Sequence, residues 1–437
     1  MANSVSANDA PARIHWHRTA TPAPVCDSLT GELTADFIVI GGGLTGTRTA
    51  LGLAEEGASV VLLEAREIGY GASGRSGGQC NPIWRKTPDE LSTLLGADVA
   101  ARLVETTLGS ADALFEDIAR YGIECDAEQN GWVQAAHSGH ARQTMSALAE
   151  AWIAAGADIR VLEGAQVQAA TGSSAYDFAL LHAKGGFVQP LSLTRGFARA
   201  ALGFGAQLYE SSPVRGIVRD GAGWRVSTDQ GAVTAPQVIL TTNGYTDDLW
   251  PGLRQTFYPM VSISLATAPL SDNLQKTVLP GAVTISDSRR AIYYARYDRD
   301  RRLIFGCIGS TETAATLGGV ARLRRGLRRV FPQLGETPVE ASWGGKIAVT
   351  PKMMPHLHEP APGVLAGLGF SGRGIAMTSV MGRSLVRKAL GAAEDTLPFA
   401  VSAMERVPLH WAATKLAPLA APAASLRDRM DELLDKG

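Results

Sequence analysis

Six residues constrain this chain more than any others. Gly41-Gly42-Gly43-Leu44-Thr45-Gly46 has the spacing G-x-G-x-x-G. It follows a short apolar run, residues 36–40 (DFIVI), that reads as a buried strand. It opens a stretch in which Leu44, Thr47, Leu51 and Ala54 share one helical face until Gly57 stops the pattern. Residues 59–64 (SVVLLE) then read as a second buried strand that ends in an acid. Each part of this strand–helix–strand unit has a physical task. Gly41 permits the tight turn, Gly43 lets a pyrophosphate reach the backbone, and Gly46 lets helix and strand pack closely. The N–H groups of Leu44, Thr45 and Gly46 stand at the positive end of the helix dipole, which suits phosphate oxygens. Glu64 can accept hydrogen bonds from ribose hydroxyls.

Nicotinamide and flavin dinucleotides share this opening, and the next stretch separates them. After Glu64, Ala65 and Arg66 comes a Gly-dense loop containing Gly71, Ala72, Ser73, Arg75, Ser76, Gly77, Gly78 and Gln79. Small residues at that density let backbone N–H groups reach along an extended cofactor. The expected cofactor is FAD.

The chain has 437 residues, enough for two or three domains, with 45% hydrophobic and 19% charged residues. Its net charge of -1 gives no bulk attraction to nucleic acid or anionic lipid. Cys26, Cys80, Cys125 and Cys307 are scattered, form no CxxC pair, and fit a reducing compartment. The first 33 residues show no signal-peptide core, and no 18-residue apolar run suggests a membrane span. The cytoplasm is the expected location.

Along the chain, Met1–Ala12 reads as a mobile tail, and Trp16 to Pro24 as an extended arm across the body. Helices are expected over 89–121, 138–155, 191–203, 320–331, 375–390 and 424–435. Strands are expected over 131–136, 207–209, 237–242 and 364–369, with a hairpin at 214–219 and 224–229 and mainly β structure from 258 to 308.

Gly71-Ala72-Ser73-Gly74-Arg75-Ser76-Gly77-Gly78-Gln79, placed after this opening, resembles the D-amino-acid-oxidase-type flavoproteins. The gamma-glutamylputrescine oxidase-like and glycine-sarcosine oxidase-like branches are the most similar. Gly185 to Pro190, Trp343 to Thr350 with Pro355, and Gly367 to Gly374 resemble further segments of that family. The resemblance runs from about Trp16 to Arg429, most of the chain. It implies an α/β fold, with a Rossmann-like FAD-binding domain interleaved with an α+β substrate domain on an antiparallel sheet. The implied division is an extension over 1–33, an FAD-binding domain over 34–88, 156–250 and 340–395, a substrate domain over 89–155 and 251–339, and a helical tail over 396–437. By the same resemblance Val214 stands by the adenine. Thr242, Gly244, Gly344, Gly369, Gly372, Arg373, Gly374 and Ile375 then complete a non-covalent FAD site. Two positions depart from the family: Arg373 and Gln189 stand where histidine is frequent, both on the substrate side.

The implied reaction is oxidation of the C–N bond of a small amine. The imine then hydrolyses, with O2 or another acceptor taking the electrons. The amine reacts as its neutral base, which aromatic walls favour; Trp84, Tyr258, Tyr294, Trp343 and Phe370 are the candidates. Arg373 offers a fork suited to a carboxylate or phosphonate. Arg296 and Tyr294 alternate along one strand and share a face, and Lys346 is a candidate for assisting O2 reduction. His356-x-His358 lacks a third ligand, so no metal is expected, and the arginines of 320–331 read as a solvated face. The expected substrate is an N-methyl amino acid, an omega-amino acid or an aminoalkylphosphonate. The alternatives are a gamma-glutamylputrescine-type oxidase, or a partner-dependent dehydrogenase subunit. The expected assembly is a monomer or homodimer.

Overall fold

A computed structural model describes residues 14–310, 312 and 319–434 of the protein. The tail expected over Met1–Ala12 and the last residues of the expected C-terminal segment, 435–437, lie outside the described residues.

Two large sheets organise the chain. The first has seven strands in the order Val401–Ser402, His356–Ala361, Val364–Leu368, Gln237–Leu240, Phe37–Ile40, Val60–Leu63, Gln207–Tyr209. All its pairs are parallel except that between His356–Ala361 and Val364–Leu368. Its central strands are continuous apolar runs because both faces are covered. Val39, Leu62, Ile239 and Leu365 pack with the helices, while Ile38, Val61, Val238 and Val364 pack against Trp224, Val226 and Val233 of a four-stranded sheet.

The second large sheet has eight strands, Val339–Val349, Tyr258–Pro269, Arg302–Gly309, Tyr293–Tyr297, Thr284–Asp287, Trp132–Ala135, Phe178–His182 and Ile159–Glu163 in spatial order. It is antiparallel except where Thr284–Asp287 meets Trp132–Ala135. The strands Ile159–Glu163, Phe178–His182 and Val339–Val349 pair into this sheet, although they fall wholly or almost wholly within 156–250 and 340–395, the stretches that the resemblance gives to the FAD-binding unit. The edge strand Ile159–Glu163 is half exposed and carries no continuous apolar run, so composition alone does not assign it to either sheet.

The helices Leu44–Glu55 and Gly374–Ala389 lie side by side on the seven-stranded sheet. Glycine is required at their contact. A Cβ on Gly52 would stand 2.8 Å from Val386, and one on Gly382 would stand 3.0 Å from the Arg48 side chain. Asp117, on the helix Ala97–Arg120, ties both to a third helix. Its buried carboxylate accepts from Arg48 Nε at 3.0 Å and Ser379 Oγ at 3.2 Å and pairs with Arg383 at 2.7 Å.

Two expectations about the chain ends change. Trp16 sits not in an extended arm but in a short helix, His15–Thr19, with its side chain fully buried. The C-terminal helix starts at His410, well before 424, and continues through Pro418 and Pro422.

Candidate active site

The parallel strands Val364–Leu368, Gln237–Leu240, Phe37–Ile40 and Val60–Leu63 end on one edge of the sheet, where ligands of such folds bind. Two helices start there, at Leu44 and Gly374. Neither is capped by its own N-cap residue or has an acid in its first turn, so beyond the Leu44 N–H, which Ser73 takes, their positive ends are left for an anion. The turn between strand and first helix depends on Gly46, where a Cβ would stand 1.9 Å from the carbonyl oxygen of Gly41. Glu64, at the end of the neighbouring strand, accepts from the N–H groups of Gly42 at 2.7 Å and Arg66 at 2.9 Å. Burial pushes its carboxyl above the usual range.

The Gly-dense loop is fastened from several sides. Ser73 Oγ accepts from the N–H of Leu44 at 2.9 Å and brings the loop to the first helix. Trp16 Nε1 donates to the Ser76 carbonyl and Trp343 Nε1 to the Arg75 carbonyl, both over 2.8 Å, and the two indoles meet edge to face. Arg75 donates to the carbonyls of Tyr70 at 2.9 Å and Gly344 at 3.2 Å. Gln79 donates to Ile285 and Ala295, tying the loop to the eight-stranded sheet. Thr242, Gly244 and Gly369 follow strands that end at the same edge. Thr242 bonds to Thr246, and a Cβ on Gly244 would stand 2.9 Å from the Lys346 carbonyl oxygen. Gly369 donates to Asn243 Oδ1 at 2.9 Å. Val214 is half buried in the core behind the seven-stranded sheet.

Two cations that act on each other, Arg373 and Arg85, stand beside this edge. Arg373 is the residue before the helix Gly374–Ala389, 8% exposed, and its Nη1 is buried without a hydrogen-bond partner. Its guanidinium lies 4.9 Å over the Trp132 ring, and His182 stacks on the same indole at 4.5 Å. Burial, then the charge of Arg85, pull Arg373 down to about 9. Guanidinium remains charged at neutral pH, so this is a cation held at an energetic cost and at the wrong end of a helix dipole. Arg85 is open to solvent, yet burial lowers its pKa too. Arg85 has no hydrogen-bond or ion-pair partner among the described residues. The acid that acts on it through space, Asp287, is already held by Tyr176 at 3.0 Å, by the Tyr293 N–H at 2.8 Å and by Arg289.

Several expected pocket residues are occupied elsewhere. Arg296 is fully buried and donates to the carbonyls of Gly77 at 2.6 Å, Tyr297 at 2.8 Å and Val188 at 2.8 Å. Tyr294 packs under Gly77, and its hydroxyl is satisfied by Ser262 and Ser264. The ammonium of Lys346 pairs with Glu312 at 3.6 Å and lies over Tyr245. Gln189 caps the helix Pro190–Gly203 and holds Trp16 and Thr19, with no atom left for a substrate. Trp84 bonds to Thr107 within the core, Trp343 fastens the loop, and Phe370 is buried in the core. Arg85 and Trp132, which act on or lie under Arg373, are not among the positions expected from the sequence. The pair Trp84-Arg85 follows the Gly-dense loop closely, and that proximity was the available signal.

The site fits a long, doubly phosphorylated dinucleotide. A Cβ on Gly372 would meet nothing within 4 Å, and one on Gly374 only Thr378 at 3.9 Å, so open space faces the second helix N-terminus just where the backbone is most approachable. Among the described residues, only His137, Asp428 and Asp431 gather as possible metal ligands, and they include neither His356 nor His358.

Known proteins place this geometry. The FAD dependent oxidoreductase family (DAO) matches residues 36–388. A probable oxidoreductase OrdL of Haemophilus influenzae is 32% identical over 82% of this chain and 83% of its own length. The gamma-glutamylputrescine oxidoreductase of Escherichia coli is 32% identical over 92% of this chain and 95% of its own. Among solved structures, glycine oxidase from Geobacillus kaustophilus shares the fold with a TM-score of 0.71 at 20% identity, covering 85% of this chain and 99% of that one. L-proline dehydrogenase from P. horikoshii does so with a TM-score of 0.71 at 19% identity, covering 86% and 100%. The fastened Gly-dense loop, the paired helix N-termini and these similarities lead to one assignment: the chain belongs to the FAD dependent oxidoreductase (DAO) family and is an FAD-dependent enzyme.

Proposed function

We propose that this protein oxidises the C–N bond of a small primary or secondary amine that carries an anionic group. Bound FAD supplies the two-electron acceptor. The amine loses two electrons and two protons and becomes an imine. Water then adds to the imine, and the carbonyl product separates from the amine or ammonia. O2 is the proposed final acceptor. The cofactor is held non-covalently by the helix starts at Leu44 and Gly374, by Glu64, and by the loop from Gly71 to Gln79.

The observation that carries this reading is the buried, unpartnered Nη1 of Arg373 with a second cation, Arg85, acting on it. Two guanidinium groups that act on each other, with no carboxylate paired to either, repel, and an anionic ligand removes that cost. Arg373 and Arg85 therefore bind and orient the anionic end, and Trp132 walls the pocket and keeps water from it. N-methyl amino acids, omega-amino acids and aminoalkylphosphonates all meet that requirement.

The similarity to a gamma-glutamylputrescine oxidoreductase favours a second reading. A gamma-glutamylated amine also carries a carboxylate, but a chain's length from the reacting amine. The two readings differ in the distance between anion and C–N bond, not in the need for the arginines.

The test is an anaerobic screen for bleaching of the visible flavin band, repeated with Arg373→Ala. Bleaching by short anionic amines, lost in the variant, supports the first reading. Bleaching by gamma-glutamylated amines alone supports the second. Bleaching only by uncharged or purely cationic amines, unchanged in the variant, removes the anion-binding role from Arg373.

A further inference from the structure

We propose that the outward face of the C-terminal helix His410–Leu434 docks this protein on an anionic lipid bilayer. The helix is amphipathic in the opposite sense to an ordinary surface helix. Its three carboxylates turn inward. Asp428 accepts from the N–H groups of Arg290 at 2.9 Å and Ala291 at 3.1 Å, Asp431 pairs with Arg290, and Glu432 pairs with Arg289 at 2.9 Å and with Arg329. Its large apolar side chains turn outward. Leu416, Leu419, Leu426, Met430 and Leu433 are each more than half exposed. They recur at alternating spacings of three and four residues, with Ala423 in the remaining place, so they form one continuous stripe along the helix. A stripe of this length is larger than the scattered exposed leucines of a typical surface.

Charge identifies the occupant. The exposed charged side chains of the helix, Lys415, Arg427 and Arg429, are all cationic, and they border the stripe. Trp411, two-thirds exposed, stands near its N-terminal end. Beside the stripe, where Arg429 and Pro422 lie, a cavity of about 330 Å³ opens toward the helix Gly319–Val330. Five arginines line it against two carboxylates, with Arg322, Arg325 and Arg329 contributed by the second helix. An apolar stripe with an aromatic end and cationic borders matches the boundary between acyl chains and headgroups, and the arginine cavity matches lipid phosphate. A second copy of this chain, paired through the same stripe about a two-fold axis, would gather the cations of both copies at one interface. An anionic bilayer neutralises them instead. The net charge of -1 hides this because the cations are local to one surface.

The test uses the FAD-loaded full-length enzyme in flotation with vesicles of phosphatidylcholine alone, or of phosphatidylcholine mixed equally with phosphatidylglycerol. The enzyme is expected to float with the mixed vesicles and much less with the neutral ones, and to be released by salt. L419E combined with L426E is expected to abolish flotation. R427E combined with R429E leaves every leucine in place and is expected to weaken binding by about fivefold per charge removed or more. An unchanged flavin spectrum confirms that each variant is folded. The proposal is overturned if the wild type stays with neither vesicle, or if the charge variant floats as well as the wild type. It is also overturned if sedimentation shows that the leucine variant has turned a dimer into a monomer, because the stripe then covers a second copy.

Discussion

Arg296 Nε donates to the carbonyl of Gly77 over 2.6 Å, and the same guanidinium holds the carbonyls of Val188 and Tyr297. A fully buried arginine is thus used as a brace for the flavin loop, with the rings of Trp16 and Phe187 against it. Arg296→Met keeps much of the volume and leaves three buried carbonyls without their donor. Charge-assisted hydrogen bonds are worth about 1.5–3 kcal/mol each, so the loop loses its pre-organised shape. The expected outcome is weaker FAD binding by roughly ten- to a hundredfold, which is about 1.4–2.8 kcal/mol. Fluorescence titration of the apoenzyme with FAD measures it, and an unchanged affinity would show that the brace is irrelevant to the cofactor.

The two glycines Gly46 and Gly203 separate steric need from composition. A Cβ at Gly46 has nowhere to go, because the obstacle is the backbone oxygen of Gly41 rather than the end of a flexible side chain. Gly46→Ala is expected to give protein that purifies without yellow colour and unfolds at lower temperature. Gly203 closes the helix Pro190–Gly203 with open space around it and an ordinary backbone conformation. Gly203→Ala is expected to keep its flavin and to gain about 0.4–1 kcal/mol through the unfolded chain. Thermal unfolding and the ratio of flavin to protein absorbance read both, and equal behaviour of the two variants would contradict the geometry.

Asp117 is a third point of leverage. It is the single carboxylate that Arg48, Arg383 and Ser379 share, and it joins three helices behind the dinucleotide edge. Removing one partner of a buried ion pair costs about 3–5 kcal/mol because the other charge is stranded. Asp117→Ala is expected to lose about that much in denaturant unfolding. Asp117→Asn, which keeps a hydrogen-bond acceptor, is expected to lose less. A loss under 1 kcal/mol for the alanine variant, the value typical of exposed pairs, would place Asp117 in solvent.

The sequence made the first part of this protein legible because local physics dictates it. Residues 36–64 need a glycine turn, a helix and two buried strands, and the apolar runs say so without reference to the rest of the chain. The eight-stranded sheet was harder to read. Ile159–Glu163 is a half-exposed edge strand, and its partner Phe178–His182 also meets Trp132–Ala135, a pairing that no local pattern encodes. The candidate pocket shows the same limit. Arg296 and Arg373 look alike in sequence, since each is a cation near aromatic residues. Only the folded chain shows that Arg296 meets three carbonyls while Arg373 Nη1 meets none. Nothing in the local sequence ties Arg85 to Arg373, which lies far along the chain yet feels its charge.

His182 supplies the clearest pH dependence. Its ring is buried, stacks on Trp132, and has no hydrogen-bond partner at either nitrogen. Burial, then the charge of Arg373, lower it from 6.5 to about 3. Between those values the unfolded chain holds a proton that the folded chain does not. Stability therefore rises with pH across this window, is fully present above about 6.5, and is lost progressively as pH falls toward 3. His17 and His356, each lowered to about 4 chiefly by burial, add slope in the same direction. His182→Leu removes one titrating group while keeping an apolar side chain against the indole. The variant is expected to show a shallower acid limb in denaturant unfolding, by up to about 1.4 kcal/mol per pH unit, the contribution of one proton. Its stability at neutral pH should change little beyond the lost ring stacking. An acid limb as steep as that of the wild type would mean that His182 titrates normally, and that its surroundings are wetter than its burial implies.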